Sequence, residues 1–288
     1  MNDITTISIN DAAYPPALKE IHNAPRTLYV RGTLPARDAL ALAVVGTRTP
    51  SAYGKQITPG IVRELVRHGA TIVSGLALGI DGIAHEATLA SGGVTVAVLG
   101  SGIDDASIYP PSHKTLARRI LESGGALISE YAPGTTPERF HFPERNRIIA
   151  GLSRGVLIIE AKEKSGALIT ATLALKENRD VFAVPGPITS EHSRGPNRLL
   201  REGAKAVLDA YDILEEYGIY TAADTTNEQA LSENERAILK LLADGPRFAD
   251  ELSAATGRAP AELTTTLVAL ELAGRIINLG GGRFGTAS

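Results

Sequence analysis

No cysteine occurs among the 288 residues, so disulfides and thiolate metal sites are excluded. That absence fits a reducing compartment, and the expected location is cytoplasmic. There is no tryptophan, and aromatic residues make up only 5% of the chain. Any ring set among cations in a loop therefore stands out. The formal charge is −3, so the chain is not a polycation, and a nucleic-acid site would have to be a local patch. The opening "MNDITTISIN" has neither a basic n-region nor an apolar core, so no signal peptide is expected. No apolar run approaches membrane-spanning length, and no membrane partner is expected.

What is present is regular alternation. The length suits two domains, or one large and one small. Residues 1–38 read as an N-terminal arm with a short helix at 16–22 and a strand at 27–31. From residue 40, short β-branched runs recur at 40–46, 70–75, 94–100, 126–131, 155–161, 180–186 and 205–210. Helical stretches lie between them, at 51–68, 83–91, 112–124, 144–153, 166–178 and 197–203. Continuous apolar strands alternating with helices predict an α/β fold: a doubly wound, mostly parallel sheet spanning 39–218. Ligands of such sheets sit at the carboxyl ends of the strands. Residues 219–230 read as a linker. Residues 231–288 then give three helices and a Gly-tipped hairpin, a C-terminal winged helix whose first helix opens with Ser232 and Glu235 at capping-box spacing.

The first loop, "VVGTRTPSAYGKQ", carries Arg48 where a dinucleotide fingerprint needs its second glycine, and no P-loop motif occurs. What remains is Gly46, Thr47 and Arg48, then Thr49-Pro50 as an N-cap and N1 pair. A guanidinium beside a helix N-terminus is an anion site; a tight turn with a solvated arginine is the alternative. In "SGLALGIDGIAHEA", Asp81 reads as a helix N-cap rather than a catalytic acid. His85 and Glu86 lack the spacing of a zinc motif, and no metal is expected. In "EAKEKSGALITATLALK", Ser165 is an N-cap, Gly166 leaves the first-turn amides open, and Lys162 and Lys164 flank them. Glu160 and Glu163 dilute that charge.

The segment "RFHFPERNRIIAGL" joins cations directly to a core helix. At 100° per residue, Ile148, Ile149 and Leu152 share a face that packs on the sheet. Arg145 falls on that same face, while Arg147 points nearly opposite. An arginine in core register is costly when unpaired. At the first turn it can instead project into the crevice; a salt bridge to Glu130 or Glu160 is the alternative. Before the helix, Arg139, Phe140, His141 and Phe142 lie in a loop. Cations mixed with rings suit single-stranded nucleic acid. The winged helix argues against duplex reading, because 260–273 contains no Lys or Arg. A protein contact or regulatory role fits it better.

"VVGTR", "SGLALGIDGIAHEATL", "VAVLGSGIDDASIYPPSHKTLARRI", "ISEYAPGTTPERFHFPERNRIIAGLS", "IIEAKEKSGALITATLALKENRDVFAVPG" and "GPNRLLREGA" follow one another through about 40–210. In that order they resemble the DprA (Smf) proteins, the DNA-processing proteins of natural transformation. The resemblance implies an extended Rossmann-like domain that binds single-stranded DNA without sequence preference. It further implies a homodimer, loading of the recombinase RecA, no catalytic reaction and no cofactor. The helical domain common at the family's N-terminus is expected to be missing or reduced. By motif, Gly46, Thr47 and Arg48 are phosphate contacts, Arg139 a backbone contact and Phe142 the stacking ring. A lysine is common where Arg139 stands. Arg145, Asn146, Arg147, Lys164, Ser165 and Gly166 are assigned to the same pocket. Two other classes stay open. One is a nucleotide-hydrolysing phosphoribohydrolase-like enzyme, whose P-G-G-x-G-T run is absent. The other is a regulatory scaffold acting through the winged helix.

Overall fold

A computed structural model describes residues 3–36, 39–219, 232–243, 245–272 and 275–286. It divides into two compact units, Met1–Ile219 and Tyr220–Ser288. The first segment contributes β1 (Ile4–Ser8), α1 (Pro16–Lys19) and β2 (Thr27–Gly32). The alternating part supplies β3 (Ala41–Val45), α2 (Ala52–Arg67), β4 (Thr71–Ser74), α3 (Ile80–Ala90) and β5 (Thr95–Val98). Next come α4 (Lys114–Glu122), β6 (Ala126–Ser129), α5 (His141–Leu152), β7 (Gly155–Ile158) and α6 (Gly166–Lys176). The unit closes with β8 (Asp180–Ala183), α7 (Arg194–Arg201), β9 (Lys205–Ala206) and α8 (Tyr211–Glu216).

These strands form one sheet in the order β1-β2-β6-β5-β4-β3-β7-β8-β9. From β6 to β9 all neighbours are parallel. β2 pairs antiparallel with β6, and β1 with β2, so the N-terminal strands extend the main sheet. Successive residues of a strand face opposite layers. Val96 and Val98 of β5 pack in the core shared with Ile148 and Ile149 of α5 and Leu168 of α6. Ala97 and the following Leu99 pack instead with Leu116 and Ile120 of α4. The sheet is thus covered on both sides, which is why its strands read as unbroken apolar runs. The chain steps outward from β3 to β6, then returns to β7 on the other side of β3. That reversal opens a crevice at the carboxyl ends of β3 and β7.

β9 is far shorter than the run 205–210 suggests. The Asp212 carboxylate accepts the N–H groups of Leu208 (2.7 Å) and Asp209 (3.2 Å), which turns the chain into α8. β5 and β7 stop at Val98 and Ile158, and the buried residues that follow lead into the crevice loops.

His85 of α3 is wholly buried, with Nδ1 2.7 Å from the Thr95 hydroxyl on β5. Burial, seconded by the charges of His113 and Arg145, pulls its pKa down to about 3. The folded chain therefore refuses a proton that the unfolded chain accepts below its ordinary value near 6.5. Stability should fall as pH drops from about 6.5 toward 3, with this residue adding a slope of up to about 1.4 kcal/mol per pH unit. Urea midpoints measured across that range should fall less steeply for His85→Gln; parallel acid limbs would show that His85 does not contribute.

The second unit contains α9 (Glu233–Ala243), β10 (Arg247–Phe248), α10 (Ala249–Thr256), α11 (Pro260–Leu272), β11 (Ile276–Gly280) and β12 (Arg283–Thr286). Ile238, Leu252, Leu267, Leu270 and Ile276 join the three helices to the hairpin. The Glu235 carboxylate accepts the Ser232 N–H, and the Ser232 hydroxyl accepts the Glu235 N–H, closing the capping box. Residues 247–248 form a short third strand beside β12, in addition to the hairpin expected from sequence. The linker expected at 219–230 lies, from 220 onward, outside the described residues.

Candidate nucleic-acid interface

The crevice is built from the loops after β3 and β7 and from the N-terminal turn of α5. At its floor the Thr47 N–H donates to the Glu160 carbonyl (2.7 Å), and the Thr47 carbonyl accepts from the Ile80 N–H (3.1 Å). A Cβ on Gly46 would stand 2.6 Å from Ile80 Cγ1. Packing alone therefore demands glycine at 46, and Thr47 is buried. Arg48 is the exposed member of this turn. Gly79, at φ +82°, lets the next loop lie against the backbone of Thr47 and Arg48.

Three expectations from sequence need correction here. Ser51, not the Thr49-Pro50 pair, caps α2, its hydroxyl accepting the Gly54 N–H at 3.3 Å. The anion site expected at that helix end is filled from within. The buried Glu160 carboxylate accepts the Ser51 N–H (2.9 Å) and hydroxyl (2.5 Å). A carboxylate is what a helix N-terminus favours. Gly54 faces it so closely that a side chain would collide with it. Asp81 is not an N-cap either; Gly79 holds that position. Asp81 lies buried in the first turn of α3 and accepts the Gly75 N–H at 3.1 Å.

Arg145 does not project into the crevice, and it pairs with neither Glu130 nor Glu160. It is only 3% exposed and donates to the carbonyls of Gly75 (2.8 Å) and Val98. Those carbonyls sit at the ends of β4 and β5, where the ladder stops and acceptors need donors. Burial draws the guanidinium down to about 10, opposed by the attraction of Asp81. Burial likewise raises Asp81, and Arg145 opposes that rise. Gly75 stands between the two charges, giving its N–H to one and its carbonyl to the other. Any larger residue there would meet the guanidinium. Arg147 takes the partner foreseen for Arg145: its two terminal nitrogens each bond Glu130 at 2.6 Å, and Nε donates to the Asn23 carbonyl.

Exposed elements gather beside the first turns of α5 and α6. α5 begins at His141, so Phe142 lies in its first turn rather than in the loop. The Arg48 guanidinium rides over the half-buried Phe142 ring, 5.5 Å from its centroid. Asn146, four residues on and on the same helix face, donates to the Gly166 carbonyl at 3.3 Å. Ser165 caps α6 by accepting the Ala167 N–H at 3.3 Å, and the first turn of α6 holds no acid. Unlike α2, this helix end is not closed by a carboxylate among the described residues. Lys164 and Arg139 are exposed, whereas Lys162 is paired with Glu191 at 2.8 Å. Among the described residues, Arg48, Arg139 and Lys164 have no carboxylate within ion-pair distance. Tyr109 is not singled out by the sequence as part of this site, and Glu160 reads there only as a charge beside Lys164 or a partner for Arg145. An acid closing an apolar run, as in "GVLIIEA", was the available signal for Glu160.

Among the described residues no helix is long and apolar enough to cross a membrane. A family model described as DNA recombination-mediator protein A matches residues 5–218, and one described as the DprA winged helix domain matches 222–282. Protein Smf of Escherichia coli is 42% identical over 278 residues, covering 93% of this chain and 74% of the relative. DNA processing protein DprA of Streptococcus pneumoniae is 46% identical over 216 residues, 74% of each chain. The X-ray structure of DprA from S. pneumoniae superimposes with a TM-score of 0.70 at 45% identity, covering 74% of both chains. DprA of Helicobacter pylori, whose structure is described for a unique single-stranded DNA binding mode, gives 0.66 at 33% identity over 75% of this chain and 98% of that one. The crevice described above thus lies within a matched domain, and the chain belongs to the DNA recombination-mediator protein A (DprA/Smf) family of DNA-processing proteins.

Proposed function

We propose that the chain binds single-stranded DNA without sequence preference, protects incoming strands during natural transformation and, as a homodimer, loads RecA onto them. The observation that carries the DNA-binding reading is the exposed Arg48 guanidinium held over Phe142 at the mouth of the crevice. Cation and ring together suit a phosphate followed by a base. Arg139, before α5, and Lys164, with the open end of α6 beyond Asn146, extend the positive track. Gly46, Thr47, Arg145 and Arg147 serve as its frame, because their contacts are internal. The Helicobacter relative described as binding single-stranded DNA supports the reading.

Band shifts with oligo-dT and with a matched duplex test it: oligo-dT should bind and the duplex should compete poorly. Preferential binding of duplex would overturn it. Incubation with nucleoside monophosphates should release no base; release would favour the hydrolase class. For RecA loading, adding the chain to strands coated with single-strand-binding protein should restore RecA's DNA-dependent ATPase activity. The winged helix, with no Lys or Arg on α11, is assigned to protein contact or regulation.

A further inference from the structure

We infer that the main base-stacking rings of this site are Tyr109, which packs on Phe142, and Phe140, two residues before it in the chain. The inference rests on the single-stranded DNA reading above. Phe142 is the ring its motif singles out, yet it is half-buried and already has close neighbours. Arg48 covers it at 5.5 Å. Its edge lies so near Gly100 that a Cβ there would sit 3.1 Å from Cδ1. Tyr109 leans on it at 5.7 Å and 45°. A base stacking on the face that Arg48 covers must first displace the guanidinium.

The neighbouring rings are open. Tyr109 is 42% exposed and Phe140 is 61% exposed, in a chain with few aromatics. Each is buttressed from behind, so each offers a fixed platform rather than a loose side chain. Tyr109 rests on Phe142. Phe140 stands edge-on to His141 at 4.5 Å, and His141 is stacked on Tyr131 at 3.9 Å. His141 Nδ1 lies 3.1 Å from the Gly100 carbonyl, so both buttresses meet at the end of β5. Phe140 immediately follows Arg139, which places a cation and a ring in consecutive residues. A phosphate and its adjacent base have the same alternation. Stacking needs a π-face and no hydrogen-bond pattern, so a row of such platforms takes any base.

Two ligands separate this inference from its parent: oligo-dT and an abasic strand of the same length, which keeps the phosphates and lacks the bases. Tyr109→Leu and Phe140→Leu should each weaken oligo-dT binding by about 5- to 150-fold and leave abasic binding unchanged. Because the chain has no tryptophan, Phe140→Trp installs a single reporter. Its fluorescence should be quenched by oligo-dT and not by the abasic strand. Equal losses on both ligands, or no loss on either, would overturn the inference; the second outcome would assign the exposed rings to a protein partner. If the unaltered chain failed to bind oligo-dT, the parent reading would fall first.

Discussion

Replacing Arg145 with methionine is expected to lower the stability of the fold by about 3–5 kcal/mol, as is usual when one member of a buried charge pair is removed. Small domains have only about 5–15 kcal/mol in total, so much of the population would unfold under mild denaturant. The loss has two sources. The carbonyls of Gly75 and Val98 lose their donor at the ends of two central strands. Asp81, already raised by burial, loses the cation whose attraction opposes that rise. Adding Asp81→Asn to Arg145→Met should recover part of the loss, since it removes the stranded acid. Lysine at 145 should rescue poorly, because one ammonium does not reproduce a planar fork between two carbonyls. Urea denaturation reads each of these. A wild-type midpoint in Arg145→Met, accompanied by lost DNA binding, would restore Arg145 to the crevice as a ligand.

Arg48→Ala should act in the opposite way. Its side chain is exposed, so stability should move by no more than about 0.5 kcal/mol. Oligo-dT affinity should fall by about 10- to 150-fold, the range for losing one charge-assisted contact. Arg139→Ala should behave likewise. Each removed phosphate contact should also flatten the dependence of log affinity on log salt by about 0.7. That slope separates lost phosphate neutralisation from lost shape, because a distorted site would lose affinity without losing the slope. Arg48 has a second task, the cover over Phe142, so the pair Arg48→Ala and Phe142→Leu should be non-additive.

The contrast between Arg145 and Arg48 shows what was legible in the sequence. The parallel sheet and its two-sided burial followed from runs such as "VTVAVLG", because a parallel sheet leaves no polar face. Helical register placed Ile148 and Ile149 in the core, where they are buried. The same register put Arg145 beside them, and there the structure departs from the expectation. Register gives direction around a helix, not which carbonyls of β4 and β5 end beneath it. Glu160 escaped for a similar reason. Its partner is Ser51, 109 residues away, and only the fold brings α2's first turn to that carboxylate. Tyr109 and Phe142 are likewise too far apart in the chain for any local signal to join them. Local signals such as Ser165 capping α6, or Ser232 with Glu235, were readable because both partners lie within one turn.

One measurement bears most directly on the proposed site: titration of oligo-dT at several salt concentrations, with the unaltered chain beside the Arg48→Ala/Arg139→Ala double variant. The predicted result is steep salt dependence in the unaltered chain, at least a 100-fold loss in the double variant (about two charge-assisted contacts) and a slope flatter by about 1.4. Unchanged affinity and slope in a folded double variant would contradict it and place the DNA elsewhere on the molecule.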